Sequence, residues 1–154
     1  MARSSSPSTI AGAAAALRRF TRFYTRLTGL LEPAYLQTRY SVTQARILYE
    51  LGRSDRLTAT ELVAALGLNA GYISRVLTAF ERDGLLRRER TPLDGRRRTL
   101  RLTPTGRREF AVIDGRSQRQ AEQALRRLAA DDRRRVIEAI GTIERLLSPA
   151  PRRD

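Results

Sequence analysis

The chain has 154 residues, 41% hydrophobic but only 6% aromatic, with a net charge of +14. It contains no Cys and no His, which excludes disulfides, Cys/His zinc sites, Ser-His triads and thiol switches. No apolar run approaches the ~20 residues of a membrane-spanning helix, and the expectation is a cytoplasmic protein. The length suggests one domain, or one domain plus an appended dimerisation element, and no metal or cofactor is expected.

All thirty basic residues are Arg. Codon composition explains part of this bias. The planar guanidinium fork also suits phosphate, and so much positive charge points to an anionic polymer.

Residues 1–10 read as a Ser/Pro-rich disordered tail. From Ala11, Leu17, Phe20, Tyr24, Leu27 and Leu31 recur at helical spacing, and Pro33 is expected to end or kink this helix. Ser41-Val42-Thr43-Gln44 has the form of a capping box. The helix behind it carries Ile47, Leu48 and Leu51, with Gly52 as its expected close. Thr58-Ala59-Thr60-Glu61 is a second capping box, for a helix with Leu62, Val63 and Leu66 that stops at Gly67. Asn69 is a third N-cap, for a helix with Ile73, Val76, Leu77 and Phe80 that ends at Gly84. Three short capped helices in about forty residues, with the tight Gly67-Leu68-Asn69 turn between the last two, form the helix-turn-helix pattern.

Two strand-like runs follow, Leu85–Arg90 and Arg96–Leu102, with Asp94-Gly95 as the hairpin signal between them. Leu100 and Leu102 alternate with Thr99 and Arg101, as in a two-stranded ribbon with one basic face. Thr103-Pro104 opens a long helix to about Ala129, weakened locally by Gly106 and Gly115. Asp131-Asp132 opens a last helix with a stripe of Val136, Ile140, Ile143 and Leu147, ended by Pro149 and Pro151.

Residues 85–108 hold nine Arg against two acids, a net +7 around one hairpin. Such a run can be a solvated face, but this one directly follows a candidate recognition helix. In the major groove, the N-terminal positions Ala70, Gly71, Tyr72, Ser74 and Arg75 would face bases and phosphates. Ala70 and Gly71 permit close approach, and Arg75 can bond a guanine edge bidentately. Helix spacing keeps Arg75 from pairing with Glu81 or Asp83. Tyr72 suits either DNA contact or packing against the scaffold. Arg96 would enter the adjacent minor groove, while Arg88, Arg90, Arg97 and Arg98 bind phosphates.

Phe80-Glu81-Arg82-Asp83-Gly84-Leu85-Leu86, and Asp94-Gly95-Arg96 with Leu102-Thr103-Pro104-Thr105-Gly106, together resemble the recognition-helix ending and wing of the MarR family. The resemblance spans Ala13 to Leu147. It implies a mainly α fold with a small β-hairpin wing: a winged helix-turn-helix with N- and C-terminal dimerisation helices. The expected organisation is an N-terminal dimerisation helix and linker at 11–40, the DNA-binding lobe at 41–103, C-terminal dimerisation helices at 104–148 and a tail at 149–154. The resemblance further implies a homodimer formed through residues 11–36 and 104–147, acting as a repressor on a palindromic operator. It places Asp94 and Arg96 in the wing motif and Arg75 at the basic recognition-helix position.

Many members release DNA when a small anionic aromatic ligand binds. By position, Tyr24, Tyr35, Arg39, Tyr40 and Tyr49 could line such a pocket, or these tyrosines pack at helix junctions with wet hydroxyls. Residues 71–81 also resemble members fused to an acetyltransferase, but no Gly-rich pyrophosphate loop follows the last helix, so no enzymatic activity is expected. A non-specific architectural DNA-binding or RNA-binding protein is the alternative that the charge supports equally.

Overall fold

A computed structural model of the chain describes residues 9–32, 34–54, 56–91 and 94–148, and of residues 90, 91 and 94–97 the backbone alone. Pro33 and residues 1–8 and 149–154 of the expected tails lie outside the described residues, whereas Thr9 and Ile10, expected in the first tail, cap and begin a helix. Contacts divide the chain after Gln118 into two compact units.

The first unit opens with helix α1 (Ile10–Leu27), capped by the Thr9 hydroxyl. This helix ends well before Pro33. Gly29 takes the left-handed conformation, φ 60°, and the Leu30 N–H reaches back to the Thr25 carbonyl. The left-handed cap therefore stops the helix before proline can. A 3-10 turn at Tyr35–Gln37 follows.

Helix α2 (Val42–Arg53) starts with the Ser41/Gln44 capping box, and both reciprocal bonds are made. Gly52 does not close it but lies inside it. A Cβ there would meet the Phe110 ring at 2.4 Å, so the glycine serves packing. Strand β1 (Leu57–Thr58) leads into α3 (Ala59–Leu66), which has the Thr58/Glu61 box. Gly67, φ 63°, turns the chain into α4 (Ala70–Arg82), where the Asn69 side chain accepts the Tyr72 N–H at 3.1 Å.

Strands β2 (Leu86–Thr91) and β3 (Asp94–Leu102) pair antiparallel, and β1 adds to the far side of β3. The sheet thus has three strands where the sequence suggested two. Leu57 pairs with Leu100, and a two-residue strand is too short to show alternation. Asp94 and Gly95 are not the hairpin turn. The ladder runs out to the Thr91–Asp94 pair, so both residues belong to β3.

One core holds these elements together. It contains Ile47, Leu48 and Leu51 of α2, Leu62 of α3, Ile73, Leu77 and Phe80 of α4, and Leu85, Leu86, Leu100 and Leu102 around the sheet. Each such side chain contributes roughly 1.5–3 kcal/mol by leaving water. Ile113, on α5 (Pro104–Leu125), joins the same core.

Helix α5 is continuous through Gly106 and Gly115 and ends at Leu125, before Ala129. Gly106 is required where it stands, because a Cβ would lie 2.0 Å from the Leu85 carbonyl oxygen. The Thr103 hydroxyl caps α5 by accepting the Gly106 N–H, and it donates to the Gly84 carbonyl at 2.6 Å.

In the second unit, α6 (Ala130–Leu147) carries Asp131 and Asp132 in its first turn, ion-paired to Arg134 and Arg135. Ile137, Ile140, Ile143 and Leu147 are exposed along it. No helix among the described residues is long and apolar enough to cross a membrane.

Candidate nucleic-acid interface

Helix α4 has two opposed faces. Ile73, Val76, Leu77 and Phe80 are buried, while Ala70, Gly71, Ser74, Arg75 and Thr78 are exposed on the other side. The exposed set follows the three- and four-residue steps of one helical face. The Asn69 cap fixes where that face begins and leaves the N-terminal turn open to solvent. Helix N-termini attract phosphate, and small residues let a backbone come close. Tyr72 is half-buried and packs partly against the core. Arg75 is exposed and has no ion-pair partner among the described residues.

The wing adjoins this helix. Arg88 of β2 donates to Glu81 of α4 at 3.2 Å, so the strand next to the recognition helix is bonded to it. Arg88, expected on phosphate, is thus paired with Glu81, the acid that helix spacing keeps from Arg75. No helical spacing signals a pair that joins a helix to a strand. A shallow cleft between α3 and α4 is lined by Thr60, Val63, Ile73, Ser74, Leu77 and Arg88.

On the outward face of the sheet, Glu89 accepts from Arg87 at 2.7 Å and from Arg101 at 3.4 Å. Arg87 and Arg101 are directly paired across the strands. Two like charges placed so would repel, and the carboxylate offsets this. Arg98 is exposed on β3. The side chains of Arg90, Asp94, Arg96 and Arg97 lie outside the described residues. Their backbones lie on the outer part of the β2–β3 ladder.

The five candidate ligand residues fall in different surroundings. Tyr40 is a core residue, its ring edge-on to Phe80 at 6.1 Å. Its hydroxyl accepts from Arg39, which also approaches Glu109 at 3.7 Å. Tyr35 packs on the core, and burial, then the nearby Tyr24, push its phenol up from the ordinary value against the pull of Arg46. Burial pushes the Tyr40 phenol up too, opposed by the Arg39 hydrogen bond. Tyr49 lies against Phe110 with the Arg46 and Arg53 guanidinium carbons 5.7 and 5.8 Å from its ring centre. Tyr24 is exposed and stacks on Phe20.

Residues 40–97, which hold α2 to the outer half of the wing, match the model of the MarR family. Over these residues the chain is similar to the MarR family. It is a DNA-binding transcriptional regulator with a winged helix fold. A Thauera aromatica protein described as a transcriptional regulator for the hcr operon is 27% identical over 140 residues, covering 91% of this chain and 78% of the relative. FabT of Streptococcus pneumoniae, solved in complex with DNA, superposes with a TM-score of 0.75 at 17% identity, covering 88% of this chain and 96% of FabT. PcaV of Streptomyces coelicolor, solved with its natural ligand, is 26% identical with a TM-score of 0.60, covering 93% and 96% of the two chains. The relatives matched in sequence are described as transcriptional regulators.

Proposed function

We propose that this MarR-type chain is a cytoplasmic repressor that binds a palindromic operator sequence-specifically as a homodimer. The observation that carries the reading is the pairing of an open N-terminal face on α4 with an arginine-rich wing bonded to the same helix through Arg88 and Glu81. Arg75 and Ser74 read base edges, Ala70 and Gly71 admit the backbone, and Arg98 with the wing arginines Arg90, Arg96 and Arg97 adds phosphate and minor-groove contacts.

Two apolar faces support the homodimer. Leu17, Phe20, Tyr24 and Leu27 are exposed on α1, and Ile137, Ile140, Ile143 and Leu147 on α6. A second copy of the chain would take both from water. The twofold axis predicts half-sites about one turn, ~34–36 Å, apart.

Release by a small anionic aromatic ligand is supported by the likeness to PcaV, a ligand-bound relative. Arg39, Tyr24, Tyr35 and Tyr49 are the candidate contacts; Tyr40 would act through the core, where its ring is committed.

Selection of bound duplexes from a random pool tests the reading. An enriched inverted repeat, bound about 10³-fold or more over scrambled duplex at fixed salt, supports it. Equal binding of all duplexes, or of structured RNA, would favour a non-specific binder instead.

A further inference from the structure

The segment between α1 and α2 contains two consecutive non-glycine residues in the left-handed region, Leu36 at φ 53° and Gln37 at φ 55°. Each costs roughly 1–3 kcal/mol and persists only where its surroundings hold it. The holding group is distant in sequence. A single nitrogen of Arg116, on α5, donates to the Leu36 carbonyl at 2.9 Å and also to the Gln37 carbonyl. The Leu36 side chain is buried, so the turn cannot relax outward without exposing it.

The strained turn runs straight into the seat of the recognition helix. The Thr38 hydroxyl donates to the Tyr35 carbonyl at 2.8 Å and accepts the Tyr40 N–H at 3.3 Å. Tyr40 then packs edge-on against Phe80, which lies near the C-terminal end of α4. Helix α5 holds this strap a second time two turns earlier, through Glu109 and Arg39.

We infer that Arg116 is a positioning residue for DNA recognition: by holding Leu36 and Gln37 left-handed, it sets Tyr40 against Phe80 and so fixes the angle at which α4 is presented. The inference rests on the DNA-reading role of α4 proposed above. Arg116 itself touches no base; it acts through the strap. A left-handed turn that glycine can adopt freely needs no such grip, and this gives the test its rescue arm.

The experiment compares full-length wild type, Arg116→Gln, Gln37→Gly and the double variant for binding to the selected operator and to scrambled duplex. Arg116→Gln is expected to weaken operator binding about 10-fold while leaving scrambled binding and the salt slope unchanged. Gln37→Gly alone should bind like wild type, and in the double variant it should restore most of the loss. Gln37 is exposed, so Gln37→Val offers an independent arm should Arg116→Gln not fold. A β-branched residue resists the left-handed region and should reproduce the operator-specific loss with Arg116 intact. Wild-type operator binding with wild-type affinity in both Arg116→Gln and Gln37→Val overturns the inference alone, as does failure of glycine to rescue. Wild-type protein that prefers no duplex overturns the inference together with the proposed function.

Discussion

Arg88 reaches from β2 to the Glu81 carboxylate of α4 at 3.2 Å, joining the wing to the recognition helix by one ion pair. The pair is partly exposed, at 26% and 43% of the two side chains, so its worth to folding is at most about 1 kcal/mol. Its larger effect is on charge. Glu81→Gln frees the Arg88 guanidinium for phosphate while barely moving the thermal midpoint. Affinity for scrambled duplex should rise, and log Kd against log salt should steepen by up to one unit. Fluorescence anisotropy across a salt series measures both.

Arg98→Ala should act in the opposite direction. The residue is exposed on β3 and carries its charge toward the outer part of the wing. Its loss should weaken operator and scrambled duplex alike and flatten the salt slope by about one unit. A change in the preferred sequence would instead assign Arg98 to base reading.

Gly106→Ala should be among the most destabilising single-methyl changes in the chain. The added carbon would meet the Leu85 carbonyl oxygen at 2.0 Å and the Leu85 carbonyl carbon at 2.9 Å, both backbone atoms that cannot swing aside. The start of α5 would have to move away from the end of α4. A loss of roughly 3 kcal/mol is expected, in the range of overpacked cores, read as a lower urea midpoint at unchanged slope.

The pH dependence follows from what the chain lacks and from two phenols. With no His and no Cys, no side chain of ordinary pKa titrates between about pH 6 and 9, and stability should be level there. Burial pushes the Tyr35 and Tyr40 phenols up from 10.0. A group whose folded value is raised gives its full stabilisation below the unfolded value and loses it as pH rises through the folded one. Unfolding midpoints should therefore fall only above about pH 10. A step between pH 6 and 9 would contradict this.

Much of the lobe was legible because its signals are local. Ser41 with Gln44, Thr58 with Glu61, and Asn69 each cap the helix they precede, and helical spacing gave the buried residues of α4. The features that escaped are non-local or very short. Strand β1 is two residues long, Gly52 answers to Phe110 on another helix, and Glu81 pairs with a residue beyond its own helix. The Arg116 grip joins positions 80 residues apart, and no spacing rule reaches that far. Tyr40 looked available to a ligand because sequence cannot show that its ring is edge-on to Phe80.

In the proposed function, sequence reading depends on the exposed start of α4, where Arg75 is the longest side chain. The most direct measurement is the ratio of operator to scrambled affinity for wild type and Arg75→Ala at one salt concentration. A bidentate guanine contact predicts that the ratio falls about 10-fold or more, corresponding to 1–3 kcal/mol, with preference relaxed at one base pair of each half-site. Equal weakening on both duplexes, leaving the ratio unchanged, would contradict the account.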